Sequence, residues 1–202
     1  MKKLMILWVI FNVTFISISA QNLKDIDYIS PFNDGLSAIH KDGNWAFINS
    51  EGELVIDYRD DLVLTTFGDE SYPIFNSERC LVVKEDEGIS YFGYIDKLGK
   101  TVIKPQYLNA TNFKNGIAII LKLHKISLGQ NELLGKNMVD YSSTELAINT
   151  TNETVHYLSD KPTHVTLSKD FLKGPPEIRT KFISEGLIAT KNKDKTWCIK
   201  KV

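Results

Sequence analysis

The sequence predicts an all-β protein, an array of antiparallel three-stranded β-meander repeats, and three observations carry that prediction. The segment Phe32-Asn33-Asp34-Gly35-Leu36-Ser37-Ala38-Ile39 returns as Phe113-Lys114-Asn115-Gly116-Ile117-Ala118-Ile119-Ile120. A longer segment, Trp45-Ala46-Phe47-Ile48-Asn49-Ser50-Glu51-Gly52-Glu53-Leu54-Val55-Ile56, returns as Phe92-Gly93-Tyr94-Ile95-Asp96-Lys97-Leu98-Gly99-Lys100-Thr101-Val102-Ile103, with nearly every apolar position kept. Turn residues separate short runs in which apolar and polar residues alternate, which is the period of a strand rather than of a helix. Self-similarity of this kind marks a repeat architecture.

Each element follows from its letters. Leu36 and Ala38 alternate with Ser37 and Ile39 as a first strand, and Lys41-Asp42-Gly43-Asn44 reverses the chain, because Gly accepts the positive φ of a tight hairpin turn. Trp45 to Ile48 returns as a second strand. Asn49-Ser50-Glu51-Gly52, matched by Asp96-Lys97-Leu98-Gly99, is a longer turn with its Gly left-handed, and Leu54-Val55-Ile56 or Thr101-Val102-Ile103 is the third strand. Trp45 and Phe47, like Phe92 and Tyr94, point to one face that carries the bulk. The small residues Ala46 and Gly93 leave room for a neighbouring strand, and the leading Phe of the next unit is placed to plug the seam. Phe32, Phe47, Tyr94 and Phe113 are therefore expected in the core. One meander is too small to stand alone, so units must stack.

Two further starts extend the array: Phe182-Ile183-Ser184-Glu185-Gly186-Leu187-Ile188-Ala189, one residue longer, and Phe75-Asn76-Ser77-Glu78-Arg79-Cys80-Leu81-Val82-Val83, which lacks the Gly. The second element is expected again at residues 137–148 and, cut short, at Thr196-Trp197-Cys198-Ile199. The units then run 32–74, 75–112, 113–148 and 182–202, with residues 149–181 irregular or a decayed unit. Residues 125–135 read as an insertion in the third unit. Solenoid and closed propeller both fit this pattern.

The order Phe-x-x-Gly-Leu/Ile-Ala, an aromatic and small pair, Ile-Asp/Asn-x-x-Gly-x-x-Val-Ile, and a closing Pro105-Gln106-Tyr107 resembles the WG-repeat family, most fully from Phe32 to Ile120. Ala46 stands where that family has Gly, and Phe92 where it has Trp. The resemblance implies a bacterial β-repeat protein, often exported, with no assigned catalytic mechanism.

Before the array, Lys2 and Lys3 precede an apolar run from Leu4 to Ile18 and the small residues Ser19 and Ala20. This is the pattern of a signal peptide over residues 1–20, cleaved after Ala20, and it is shorter than the roughly 20 apolar residues a membrane-spanning helix needs. The expected mature chain, residues 21–202, is thus a secreted or periplasmic domain with no membrane span. A formal net charge of −1 gives no field favouring nucleic acid. Cys80 and Cys198 are permitted to pair in that compartment, but their apolar flanks suit buried free thiols.

No residue pattern identifies a catalytic site, a metal site or a cofactor. His40, His124, His156 and His164 do not fall at ligand spacing, although His156 and His164 with Asp160 or Asp170 form one candidate constellation. The acidic runs Asp57 to Asp61, Asp69-Glu70 and Glu85 to Glu87 read as solvated turns, and Tyr58 and Tyr107 as unit-closing core residues. The sequence reading is a non-catalytic scaffold or binding module for an envelope protein, peptide or glycan. Two alternatives stay open: an enzyme or small-molecule-binding protein with a site formed by residues 125–135 and 149–181, and a partner subunit pairing through an open strand edge near residues 195–201.

Overall fold

The computed structural model describes residues 23–131, 135–159, 161–184, 186–192 and 194–201; the expected signal segment lies outside them. Among the described residues the chain is all β, with no helix able to cross a membrane. A four-stranded antiparallel sheet holds β1 (Tyr28–Ile29), β2 (Ser37–Lys41), β3 (Asn44–Ile48) and β4 (Leu54–Arg59). After a small hairpin, β5 (Thr65–Phe67) and β6 (Glu70–Tyr72), comes an eight-stranded sheet. In it β7 (Phe75–Asn76), β8 (Arg79–Asp86), β9 (Ile89–Ile95), β10 (Thr101–Ala110), β11 (Ile117–Asn131), β12 (Lys136–Asn149) and β13 (Thr154–Tyr157) lie side by side in chain order, and β14 (Thr163–His164) also pairs with β12. A last sheet holds β15 (Thr180–Ser184), β16 (Leu187–Lys191) and β17 (Trp197–Lys201).

The repeat is visible in the backbone hydrogen bonds. Asn49, Asp96, Asn149 and Asn192 each open the same turn: the N–H donates to the carbonyl four residues on, and the carbonyl accepts from the N–H three residues on. Asn49, Asp96 and Asn149 also accept, through a side-chain oxygen, from the N–H groups two and four residues on. In each case a strand begins five residues after the opening residue, at Leu54, Thr101, Thr154 and Trp197. A second, tighter turn joins the leading Phe to the first strand. Its two left-handed residues are Asp34-Gly35 and Asn115-Gly116, but Ser77 and Glu78 at φ 52° and 63° in the copy without Gly.

The strained copy is held by the next level of structure. Asp34 accepts from the Glu78 N–H, and Ser77 Oγ accepts from the Gly116 N–H at 2.9 Å, so each tight turn holds its successor at the same place. A second ladder runs from the third strands. Arg59 and Tyr107 occupy the same register position, opposite Trp45 and Phe92, and both reach the next unit's longer turn, at the Gly99 carbonyl and at Asn152.

The third strands of the first two units pair first within their unit, and the chain that follows them then pairs with the next unit. Val63 N–H donates to the Leu81 carbonyl at 3.1 Å and Thr111 N–H to Ile119 at 2.9 Å. Ser30, just after β1, donates to Ala38 at 2.8 Å in the same way. Side chains from opposite faces of one strand consequently serve two cores. Leu36, Ala38 and Phe47 of the first unit meet Phe75, Cys80, Val82 and Ile95 of the second. Leu81, Phe92 and Tyr94 of the second meet Phe113, Ala118, Ile120 and Leu146 of the third. Ile119 and Ala147 of the third meet Ile188 of the last. Among the described residues no core joins first to last, so the units form an open array.

The leading Phe plugs the seam as expected. Phe75 lies edge-on to Phe47, with ring centroids 4.8 Å apart, and Phe113 lies 4.7 Å from Tyr94. Gly93 is required by the approach of β10, since a Cβ there would stand 2.4 Å from the Ile103 carbonyl oxygen. The extra residue of the last start is absorbed by a bulge: Phe182 pairs with Ile188 and Ser184 with Leu187, leaving Ile183 looped out.

Other expectations are corrected. Phe32 is 53% exposed, because among the described residues no unit precedes it to receive its ring. The second strand of the second unit has no polar face, since Phe92 and Tyr94 serve one core and Ile95 another. Residues 137–148 are not a strand, turn and strand but part of the continuous β12, and the turn they were expected to hold is displaced to Asn149. Of the expected insertion at 125–135, residues 125–131 belong to β11, paired with β12 as far as Asn131 with Lys136, and residues 132–134 lie outside the described residues. Tyr58 is not the counterpart of Tyr107 and is exposed; Arg59 is.

Deleting a seam ring should therefore cost far more than deleting the leading ring of the first unit. Phe113→Ala is expected to lower unfolding stability by about 3–5 kcal/mol and Phe32→Ala by about 0.5 kcal/mol or less. Urea unfolding followed by circular dichroism reads both, and equal losses would contradict the seam assignment.

Candidate cleft over a buried carboxyl

The outer face of β11 and β12 carries Leu121 directly opposite Glu145, with Ser143 two residues before Glu145 on the same side of the strand. A glutamate at such a position would normally reach water, but residues 161–179 fold back across this face. Leu158 and Ser159 N–H groups donate to the Glu145 carbonyl, and the Glu145 N–H donates to Ser159 Oγ at 3.0 Å. Asn109 Nδ2 holds the Pro176 carbonyl at 2.8 Å, fixing the Gly174-Pro175-Pro176 turn over the sheet. Val165, Leu167, Leu172 and Ile178 pack on Ile89, Leu108 and Leu121 beneath it.

Between this cover and the sheet lies a cleft of about 340 Å³, lined among others by Ser143, Glu145, His164, Val165, Thr166 and Arg179. The Glu145 side chain is 4% exposed. Its Oε1 accepts from the Arg179 backbone N–H at 2.8 Å, and Arg179 Nε stands 3.9 Å from the same oxygen. Its Oε2 is buried with no hydrogen-bond partner among the described residues. Leaving such an atom open costs about 1–3 kcal/mol or more, so unpaired groups of this kind mark places where a protein holds chemistry in reserve. Two other depressions lack this feature. One, of about 220 Å³, lies under Gly174 and Pro175 beside Lys169, and one of about 450 Å³ lies along Ile56 to Asp61 against Leu98 and Gly99.

Of the constellation read from sequence, only His164 lines the cleft, and its Nδ1 is 2.9 Å from Asp140 Oδ1. His156 pairs opposite Ala147 on β13, Asp170 is exposed, and Asp160 lies outside the described residues. Residues 125–131 contribute nothing to the lining, whereas 149–181 supply most of the cover. Glu145 and Arg179 were not singled out by sequence. Glu145 sits in Thr144-Glu145-Leu146-Ala147-Ile148, an isolated charge inside an apolar strand, and that is the signal that marks it, since Glu is rarely buried unless paired.

The fold and cleft together define a β-repeat protein with a covered polar site on its third unit. A family model for the WG containing repeat matches residues 25–45 and 92–123, so the chain is similar to that repeat over parts of its first three units, and Glu145 and Arg179 lie beyond both stretches. No curated protein and no solved structure matches the chain.

The two cysteines are unpaired: Cys80 is buried in the first seam and Cys198 is half-buried on β17. Burial pushes the Cys80 thiol well above its ordinary range, against a smaller opposing pull from Arg59. In the native protein a maleimide should therefore label Cys198 and spare Cys80 until denaturant is added. Mass spectrometry of the labelled peptides checks this, and equal native labelling would contradict the seam.

Proposed function

We propose that this protein is a non-catalytic binding module of the bacterial cell envelope, secreted or periplasmic, and that the cleft over Glu145 is where a protein, peptide or glycan ligand is held. The observation that carries this reading is the unpartnered Oε2 of a buried carboxyl group that lines a preformed cleft. The lysine-flanked apolar N-terminal run supports export, and the near-neutral charge gives no support to a nucleic-acid role. Thr166 is exposed and lines the cleft, so Thr166→Trp fills it without disturbing the core. The test is capture from envelope extract with residues 21–202 as bait. A partner held by the unaltered chain and lost with Thr166→Trp is expected; a partner retained by that variant would place binding elsewhere.

A second reading rests on β17, which pairs with β16 on one side only among the described residues and exposes Trp197 and Ile199. Such an edge suits strand addition by a partner subunit. Light scattering tests its simplest form: a dimer abolished by Ile199→Pro, whose N–H faces away from β16, is expected, and a monomer at high concentration counts against self-pairing through this edge.

A further inference from the structure

The cleft over Glu145 has a polarity that narrows what it takes. Glu145 Oε1 is already engaged by the Arg179 backbone N–H, and the Arg179 guanidinium stands on that same oxygen's side at 3.9 Å. Oε2 is buried without a partner among the described residues, and a carboxylate oxygen there accepts. The neighbouring charges are turned away from it: His164 faces Asp140, and Glu177 pairs with Lys191 at 3.3 Å. Oε2 lacks a hydrogen-bond donor among the described residues. A hydroxyl supplies a neutral one, whereas an ammonium makes charge-assisted bonds to a carboxylate that are roughly twice as strong. The cleft volume of about 340 Å³ lies at the low end of the roughly 300–1,000 Å³ of small-ligand sites. Buried Val165 and Leu121 beside the carboxyl suit the carbon skeleton that carries the donor.

We infer that the cleft binds a small ligand, or one terminal group of a larger one, through a primary ammonium that donates to Glu145 Oε2. This inference rests on the cleft being the binding site. Arg179 acts as a positioning residue, since its backbone N–H fixes which carboxyl oxygen is left for the ligand.

Glucosamine and glucose differ by an ammonium in place of a hydroxyl, and both are small enough to probe the site. Titrated into ¹⁵N-labelled protein of residues 21–202, glucosamine is expected to shift the amides of Glu145, Val165 and Arg179 and to bind at least about tenfold more tightly than glucose, a difference of roughly 1.4 kcal/mol. In Glu145→Gln the Arg179 N–H holds the amide oxygen at the Oε1 position, so an NH₂ group replaces Oε2 and faces the ammonium donor to donor. That variant should lose glucosamine and keep whatever affinity glucose has. Should it fail to fold, Thr166→Trp serves in its place and should abolish the glucosamine shifts. Equal affinity for the two sugars, retention of glucosamine by Glu145→Gln, or no movement of the cleft amides would each overturn the inference. Loss of the envelope partner with Thr166→Trp alongside equal affinities would overturn the ammonium assignment while leaving the cleft as the binding site.

Discussion

Every seam of this array is a core divided between two units, and that division governs the rest of the structure. In β8, Cys80 and Val82 face the first unit while Leu81 faces the third; in β11, Ala118 and Ile120 face the second unit while Ile119 faces the last. A strand that serves two cores has no polar face to spare, which is why Cys80-Leu81-Val82 and Ala118-Ile119-Ile120 read as continuous apolar runs rather than clean alternations. No unit can bury its own side chains, so stability accumulates at the junctions between neighbours, as in a one-dimensional array. The third strands of the first two units enforce the same coupling through the backbone, since the chain leaving each pairs with the first strand of the next unit.

How far the sequence reveals this depends on which residues do the work. The aromatic plugs are legible because a ring in a tight seam has few substitutes: Phe75 and Phe113 each lead a unit and fill equal holes. The turns are legible where Gly supplies the left-handed backbone and obscure where it does not. Asn152 at φ 71° takes the place that Gly52 and Gly99 take elsewhere, so the third long turn carries no glycine to announce it. The lengthening of β11 and β12 then displaces the repeat, and a match of letters at 137–148 falls in the middle of a strand. Ser77-Glu78 shows the converse: a tight turn survives without Gly because Asp34 and Gly116 bond it from either side.

The cleft was hidden for a related reason. With the third copy set too early, Glu145 falls where the first copy has the turn residue Glu53, and a glutamate in a turn attracts no notice. Its burial is produced by a segment more than a dozen residues away that has no repeat pattern of its own. Only the fold brings Arg179 to the carboxyl group and Ser159 to the Glu145 backbone N–H, and no local pattern in the sequence encodes that meeting.

The two irregular segments occupy one place in the repeat. Residues 64–74, with the β5–β6 hairpin, and residues 159–179, with the cover of the cleft, both fall between the tail of a third strand and the leading Phe of the following unit. Between the second and third units the same junction is filled by little more than Asn112, so it tolerates almost any length. Chain added there enters after one seam is sealed and before the next begins, and it perturbs neither. The repeat thus offers a fixed graft point, where new surface can be tried without renegotiating the packing that holds the array together, and the carboxyl-bearing cleft is the product of one such graft.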